Sequence, residues 1–343
     1  MDVFDKILQM NKSYVFYGDN LPVLEMLSKH YNNKVDLIYI DPPFATNNIF
    51  TMSDNKANSI SSSKKDDIAY IDKYTLNDYL EFLKPRFVLL KELLSDTGSI
   101  YIHIDYKVGH YVKILLDEIF GINCFINDIT RIKSNPKNFS RRAYGNIKDM
   151  ILFYAKNPKK NIWNDITIPI NNEQINKLYK KIDIDGRLYT TVPCHAPGET
   201  INGVTGSYWK GILPPKGRHW RQSPELLDEL DRQGLIEWST TGNPRIKKYA
   251  DEHKGSKIQD IWYDYKDTHK PKYPTEKNYN MLEMIIKQSS NETSLVLDAF
   301  AGSGTFLQAA FNNKRYFIGI DSSLSSMKVI KNRNLGEYYY FEY

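Results

Sequence analysis

The fold of this chain is decided by the stretch Leu295-Val-Leu-Asp298-Ala-Phe300-Ala301-Gly302-Ser303-Gly304-Thr305. An apolar run that ends in Asp298 predicts a buried strand, Gly302 and Gly304 predict a tight turn, and a helix is predicted over 305–311. A strand, a turn and a helix in this order present backbone N–H groups and a helix N-terminus at the carboxyl edge of a sheet. The stretch therefore predicts a site for a nucleotide-like cofactor.

Two features around this turn narrow down the cofactor. Leu307 stands where a dinucleotide-binding fingerprint needs a third glycine, and the turn lacks the Gly-Lys-Ser or Gly-Lys-Thr of a P-loop. The next predicted strand, 316–320, is followed by Asp321, which is suited to accept hydrogen bonds from two ribose hydroxyls. A cofactor with a ribose but no pyrophosphate fits these residues better than NAD does, and S-adenosyl-L-methionine is such a cofactor.

A second motif, Asp41-Pro42-Pro43-Phe44, follows a predicted strand over 35–40. It suits a substrate with an exocyclic amine on a planar ring, because Asp41 and the Pro42 carbonyl can accept hydrogen bonds from the two N–H groups. The two prolines stiffen the turn, and Phe44 can stack on a base that has left the double helix. Taken alone, the motif could also be a strand terminator with a surface acid.

Short apolar runs alternate with amphipathic helical patterns at both ends of the chain. This alternation predicts an α/β fold with a doubly wound sheet. In the first part of the chain, strands are predicted at 14–17, 35–40 and 99–104, and helices at 76–94 and 108–120. Pro85 indicates a kink in the first of these two helices or a division into two segments.

Two polar features lie near the proposed site. His103 and Asp105 end a predicted strand, either as ordinary polar strand ends or as participants in the chemistry. Residues 45–67 are rich in Asn, Ser, Lys and Asp, and predict a mobile loop. Such a loop either closes over a flipped base or is a solvated linker.

Together the two motifs resemble those of DNA amino-methyltransferases of the beta group, in which the catalytic motif precedes the recognition domain and the cofactor motif follows it. The resemblance covers roughly residues 14–160 and 270–326, and includes Tyr17-Gly-Asp-Asn20 and Tyr273-Pro-Thr-Glu-Lys277. It implies a circularly permuted, Rossmann-like, S-adenosylmethionine-dependent methyltransferase fold. Since Asp-Pro-Pro-Phe is usual for adenine in that family, it also implies methylation of the N6 amine of a flipped-out adenine in double-stranded DNA.

The resemblance also implies roles for single residues. Asp19 is expected to bind the adenine of the cofactor, and Lys277 is expected near its methionine part; Asn278 replaces a proline that related sequences commonly have. The expected catalytic residues are Asp41, Pro42, Pro43 and Phe44. The expected cofactor-binding residues are Asp19, Pro274, Thr275, Lys277, Asp298, Phe300, Ala301, Gly302, Ser303, Gly304, Thr305 and Asp321. No metal is expected.

The net charge of +5 is unevenly distributed along the 343 residues. Residues 126–272 hold 26 Lys and Arg against 17 Asp and Glu, a net charge of +9, while the rest of the chain carries −4. Within this part, residues 131–160 carry nine bases and one acid, a density that suits a phosphate backbone, although a solvated lysine-rich surface gives the same pattern. The predicted DNA contacts are Arg131, Lys133, Lys137, Arg141 and Arg142.

These patterns predict two domains. Residues 1–160 and 271–343 are expected to form the catalytic domain. Residues 161–270, which lose the strand-helix alternation and gain Gly, Pro and Trp, are expected to form an inserted target-recognition domain, with residues 126–160 as its basic flank.

Other functions remain open to the sequence. An N4-cytosine DNA methyltransferase and a catalytically silent, DNA-binding specificity subunit are the two alternatives, whereas a Rossmann dehydrogenase is disfavoured by the missing third glycine. The absence of an apolar run near 18 residues and of a signal-peptide pattern predicts a cytoplasmic protein without a membrane partner. The expected partner is double-stranded DNA; a restriction-modification setting also allows a separate restriction endonuclease and a homodimer, which the sequence does not decide.

Overall fold

The computed structural model describes residues 8–43, 49–53, 56–58, 67–71, 75–136, 138, 140, 142–267 and 276–343, with the three ranges between 49 and 71 described by their backbone alone. The strands of this part of the chain are β1 (Tyr14–Tyr17), β2 (Val35–Ile40), β3 (Ile49–Ser53), β4 (Lys56–Asn58), β5 (Asp67–Ile71), β6 (Leu94–Ile104), β7 (Phe125–Ile132), β8 (Lys148–Ala155), β9 (Thr167–Ile168), β10 (Lys181–Ile182), β11 (Leu188–Pro193), β12 (His195–Pro197), β13 (Arg218–Trp220), β14 (Ile236–Trp238), β15 (Pro244–Tyr249), β16 (Ser256–Lys257), β17 (Ile261–Trp262), β18 (Leu295–Asp298), β19 (Tyr316–Asp321) and β20 (Tyr339–Glu342). Its α-helices are α1 (Asn20–Tyr31), α2 (Leu76–Leu93), α3 (Tyr106–Phe120), α4 (Asn172–Leu178), α5 (Pro224–Arg232), α6 (Tyr279–Ser289), α7 (Thr305–Asn312) and α8 (Leu324–Lys331). No described helix has the length and apolar character that a membrane span requires.

A nine-stranded sheet is the centre of the first of two compact units, which comprises Met1–Ile166 and Gln259–Tyr343. Its strand order is β17-β7-β8-β6-β2-β18-β19-β1-β20. The strands from β6 to β20 in this order run parallel to one another, and β8 is antiparallel to both β6 and β7. Since β18 and β19 lie between β2 and β1, the two ends of the chain build one sheet, which confirms the predicted permuted α/β fold.

The central strands are buried along nearly their whole length. In β2, Val35, Leu37, Ile38 and Ile40 are fully buried, which is the near-continuous apolar pattern of a parallel strand covered on both faces. Helix α2 runs unbroken through Pro85 although that residue removes one helical hydrogen bond. Tertiary packing holds it together, since its apolar side chains are part of the core; these are Leu83, Phe87, Leu90 and Leu93.

Residues 45–67 contain strands, where the sequence predicted a loop. β3 pairs antiparallel with β4 and with β5, in a separate three-stranded sheet of order β4-β3-β5. The prediction was wrong for residues 49–53 and 56–58, because antiparallel strands need only near neighbours in the chain to satisfy their backbone groups. A polar composition therefore does not exclude them. Residues 45–48, 54–55 and 59–66 of the predicted loop lie outside the described part of the chain.

The second compact unit comprises Thr167–Ile258. Its main sheet is antiparallel, with the order β10-β11-β15-β14, and β12 pairs with β13 as a two-stranded ribbon. Its small core includes Cys194, Trp209 and Trp220. The bounds differ from the predicted 161–270 at both ends, because residues 161–166 and 259–267 belong to the first unit, where β17 pairs with β7. Residues 268–270 lie outside the described part of the chain.

Candidate active site

Four aspartates mark the carboxyl ends of four neighbouring parallel strands. Asp41 directly follows β2, Asp298 ends β18, Asp321 ends β19, and Asp19 lies two residues beyond β1. Neighbouring strands are about 4.8 Å apart, so these side chains share one edge of the sheet. The chain order alone would not bring them together, because Asp41 and Asp298 belong to opposite ends of the sequence.

The glycine-rich turn is fixed from both sides by carboxylates. Asp298 Oδ1 accepts a hydrogen bond from Phe300 N at 2.9 Å, and Asp321 Oδ2 accepts one from Gly302 N at 2.7 Å. Gly304 has φ +72°, and a Cβ atom there would lie 2.8 Å from Ile330 Cγ1. The turn therefore needs glycine at this position both for its backbone conformation and for its close approach to α8.

Ionisation of the carboxylates at this edge is made costly by burial and, for Asp298, by neighbouring negative charge. Burial raises the pKa of Asp298 well above its usual range, and the neighbouring charges of Asp41 and Asp321 raise it further. Burial likewise raises the pKa of Asp321, against the opposing effect of the backbone N–H groups of Ser323 and Gly302. An electrostatic environment of this kind favours a cationic ligand.

The two carboxylate oxygens of Asp41 differ in their contacts. Lys277 Nζ lies 2.8 Å from Asp41 Oδ2 in a largely buried ion pair. Asp41 Oδ1 is buried, and among the described residues no atom hydrogen-bonds to it. Pro42 is buried and Pro43 is half-buried directly after it. A buried acceptor without a partner is costly, so this oxygen is a candidate to bind a donor from a ligand.

A buried polar network lies beside the site. Tyr39 Oη lies 2.9 Å from His103 Nδ1, and His103 Nε2 lies 3.1 Å from Asp149 Oδ2. Burial lowers the pKa of His103, and the charge of Lys277 lowers it further. Burial raises the pKa of Asp149, but its hydrogen bond to His103 and nearby lysines outweigh this effect and lower it overall. A neutral His103 that donates through Nε2 to the Asp149 carboxylate must accept through Nδ1 from the Tyr39 hydroxyl.

Arg131 belongs to this network rather than to the surface. It is fully buried, and its guanidinium donates to Tyr265 O at 2.8 Å, to Asp149 Oδ2 at 3.3 Å and to Asp267. Lys133 Nζ binds the other oxygen of Asp149 at 2.7 Å. The predicted DNA contact of Arg131 is wrong for this structure, because its guanidinium is enclosed by protein acceptors. Charge density along the sequence does not distinguish buried bases from exposed ones.

Two arginines that the sequence analysis did not select brace the site. Arg86, on α2, donates to Asp19 Oδ1 at 2.9 Å and to Asn20 Oδ1 at 2.5 Å, and Asn20 Nδ2 in turn donates to Ala299 O at 2.7 Å. These bonds tie the end of β1 to the end of β18. Arg86 carries no local motif that could have revealed the contact.

The second arginine, Arg333, lies beneath the glycine-rich turn. It donates to Ser303 O, to Thr305 Oγ1 at 3.0 Å and to Glu276 Oε1 at 2.6 Å. These contacts join the glycine-rich turn to the segment that carries Glu276 and Lys277. Arg333 therefore holds together two segments that contain predicted cofactor-binding residues.

The structure brings together most of the predicted site. Asp19, Asp41, Asp298 and Asp321 share the sheet edge, and Lys277 contacts it through Asp41. Arg142 is exposed, as a DNA contact requires. Five predicted residues lie outside the described part of the chain: Phe44, Lys137, Arg141, Pro274 and Thr275.

Comparison with known proteins identifies relatives along almost the whole chain. A family model described as DNA methylase matches residues 35–332. The chain is 42% identical over 331 residues to the type II methyltransferase M.EcaI of Enterobacter cloacae, which covers 95% of this chain and 70% of that protein. It is 29% identical over 358 residues to the Mod subunit of the type III restriction-modification enzyme StyLTI of Salmonella typhimurium, which covers 92% of this chain and 53% of that protein.

A solved structure shares the fold. A protein described as a DNA modification methylase from Thermus thermophilus superposes with a TM-score of 0.50 at 14% sequence identity, covering 96% of this chain and 100% of that one. At this level of identity the likeness concerns the fold alone, and it agrees with the predicted α/β fold.

Proposed function

We propose a specific reaction for this chain, which belongs to the DNA methylase family: it transfers a methyl group from S-adenosyl-L-methionine, the methyl donor of that family, to the N6 amine of adenine in double-stranded DNA. The observation that carries the proposal is the buried Oδ1 of Asp41, which has no hydrogen-bond partner among the described residues and lies at the sheet edge that also holds Asp298 and Asp321. An acceptor of this kind suits the N–H group of an exocyclic amine.

The residues at the edge fit the proposed methyl donor. When bound, S-adenosylmethionine supplies an electrophilic methyl group on a positively charged sulfonium. Burial disfavours the ionised forms of Asp298 and Asp321, and a cation of this kind would stabilise those ionised forms. The backbone of the turn at Phe300 and Gly302 is held by those same carboxylates, so the ligand would meet a rigid surface rather than having to order it.

Asp41 is the proposed catalytic residue. Its Oδ1 accepts a hydrogen bond from the adenine amine, which orients the nitrogen for an in-line attack and withdraws its lone pair from the ring. Pro42 and Pro43 limit the backbone freedom of the turn, so the acceptor is positioned before the base arrives. After transfer the nitrogen carries one proton too many, and Asp41 is placed to accept that proton and pass it to solvent.

Identification of the methylated nucleoside tests the choice of adenine. Duplex DNA treated with the purified chain and S-adenosylmethionine would be digested to nucleosides and measured by mass spectrometry. We expect N6-methyl-2′-deoxyadenosine. Detection of N4-methylcytosine would show that the chain is an N4-cytosine methyltransferase instead. If no tritium passes from the labelled donor to DNA of varied sequence, the chain would be a catalytically silent specificity subunit.

The second compact unit is the proposed target-recognition domain, and Arg142 a proposed DNA contact. The name of the Mod subunit relative supports a restriction-modification setting, in which a separate endonuclease and a homodimer are proposed partners. Light scattering of the purified chain would test the homodimer, since a mass near 40.0 kDa would contradict it.

A further inference from the structure

Three arginines converge on one short segment of the second compact unit. Arg218, on β13, donates from Nη1 towards His195 Nδ1 on the paired strand β12, at 3.3 Å. Arg221 donates from Nε to Pro193 O at 3.0 Å, and its backbone N–H donates to Cys194 O at 2.8 Å. Arg245 lies opposite Pro193 in the pairing of β15 with β11. We call the group of Arg218, Arg221, Arg245 and His195 the arginine cluster.

The arginine cluster lacks the carboxylates that pair with five other bases of this unit. Arg187 pairs with Asp251 and Glu252, and Arg232 pairs with Glu229. Three lysines are paired in the same way, namely Lys181 with Glu237, Lys210 with Asp231 and Lys247 with Asp183. Within Thr167–Ile258, all of which is described, no acidic side chain forms an ion pair with Arg218, Arg221 or Arg245.

Neutral acceptors orient these guanidiniums instead. Arg245 donates to Thr191 Oγ1 at 2.8 Å and to Thr191 O at 2.9 Å, and Arg221 Nε donates to the carbonyl of Pro193. Burial lowers the pKa of His195, and the charges of the three arginines lower it further, so the ring is neutral at pH 7 and can accept from Arg218. The bonds hold the side chains in place without removing their charge.

Concentrated positive charge of this kind has a cost for the folded protein. Like charges repel, and the three guanidiniums all lie near the neutral ring of His195. Arg218 and Arg221 are exposed, and among the described residues most of their five N–H donors have no acceptor. Beneath them, Trp220 and Cys194 are buried in the small core, so the ribbon that carries the charges is anchored. An anion with several acceptor oxygens would satisfy both the charge and the donors.

We propose that the arginine cluster is a binding surface for the phosphate groups of duplex DNA. The proposal rests on the proposed function, since it locates the DNA substrate on residues that the sequence analysis did not select. Phosphate contacts position a protein on the duplex but read no sequence. The cluster therefore supplies affinity for any duplex.

The salt dependence of DNA binding tests the proposal on the full chain. Variants Arg218→Gln and Arg221→Gln would be compared with the wild type by fluorescence anisotropy on a labelled duplex over a range of salt concentrations. Each lost phosphate contact is expected to flatten the slope of log K against log salt by about 0.9. Both variants should weaken binding to target and non-target duplexes by the same factor.

Control variants separate charge from structure. Arg187 lies in the same unit but is already paired with two acids. The variant Arg187→Gln should therefore have the same slope of log K against log salt as the wild type. Arg218→Lys and Arg245→Lys keep the charge and should keep the slope. Thermal melting checks that each variant is folded.

Two outcomes would overturn the proposal. Slopes of Arg218→Gln and Arg221→Gln equal to that of Arg187→Gln would show that the cluster contacts no phosphate. A loss confined to the target sequence would assign the arginines to base edges instead. Failure of the proposed function is distinguishable, because it appears in the methylated nucleoside that the wild type produces, which would be N4-methylcytosine or none, whatever the salt slopes of the variants are.

Discussion

Lys277 Nζ lies 2.8 Å from Asp41 Oδ2, while Oδ1 of the same carboxylate is buried without a partner among the described residues. The ion pair fixes the carboxylate in one orientation, and its free oxygen is the one that the proposed reaction uses. Lys277 was expected near the methionine part of the cofactor, but its contact with Asp41 gives it a positioning role in addition. The pair lies 236 positions apart in the sequence, so no local pattern indicates it.

Replacement of Asp41 tests the proposed catalytic residue. Asp41→Ala removes the acceptor and should lower kcat by at least about 10²-fold, the usual cost of one hydrogen bond to a developing charge. The glycine-rich turn is held by Asp298 and Asp321, so the cofactor Kd should change little. Tritium transfer measures the first quantity and calorimetric titration the second. Equal loss of both would contradict the assignment.

Replacement of Lys277 separates its two roles. Lys277→Met leaves the Asp41 carboxylate free to rotate and should lower kcat by about 10²-fold, since a displacement of about 1 Å at a reacting centre costs that much. Lys277→Arg keeps a cation near Asp41 and should lose less. If Lys277 acts through Asp41, the Kd for S-adenosylmethionine stays near the wild-type value. A large rise in that Kd with unchanged kcat would instead assign Lys277 to the cofactor alone.

The buried His103 predicts a pH dependence of stability. Its pKa in the folded state lies below the unfolded value of 6.5, so the unfolded chain binds more protons in this range. The free energy of unfolding contributed by this residue therefore falls as pH drops below about 6.5, by at most about 1.4 kcal/mol per pH unit.

A variant isolates this contribution from other titrating groups. The raised pKa values of Asp298 and Asp321 act in the opposite sense, because they favour the folded state at lower pH. Urea unfolding would be measured for the wild type and for His103→Gln at several pH values between about 5 and 7.5. The effects of Asp298 and Asp321 are common to both proteins and cancel when the two unfolding free energies are subtracted. We expect the difference in unfolding free energy to shrink towards acid pH. A pH-independent difference would contradict a neutral, buried His103.

Gly304 predicts a steric effect at the cofactor turn. Gly304→Ala adds a Cβ atom 2.8 Å from Ile330 Cγ1 in a backbone conformation with φ +72°. The expected result is a loss of about 1–3 kcal/mol in unfolding free energy, with a weaker Kd for S-adenosylmethionine. Gly186→Ala is the matched control, since its φ is +85° but nothing lies within 4 Å of the added atom. An equal loss in both variants would show that backbone strain alone is responsible.

The sequence predicted those parts of the site whose determinants lie close together in the chain. The strand ending in Asp298, the turn at Gly302 and Gly304 and the helix from Thr305 follow one another, so propensity and periodicity are sufficient. The strand ends at Asp41 and Asp321 were predictable for the same reason. Their common edge followed from the rule that parallel strands align their carboxyl ends.

Contacts between distant elements were not predictable in this way. Arg86 reaches Asn20 and Asp19 from another helix, and the His103 ring is held by partners on two other strands. Arg131 shows the converse error: it stands in a basic run, yet the fold encloses it. Pairing and burial depend on the packed sheet, which a count of charges along the chain does not contain.

The position of β18 and β19 between β2 and β1 has a consequence for synthesis on the ribosome. Residues 14–40 emerge early, but the two strands that separate them in the sheet are formed by residues 295–321. At about 5–20 residues per second, the nascent chain must wait roughly 10–50 s for these partners. During that time the apolar faces of Tyr14–Phe16 and Val35–Ile40, which are buried in the finished protein, lack their native cover. A newly made chain is therefore an expected client of chaperones that hold unfolded segments, and it cannot complete its sheet before residues 295–321 are translated.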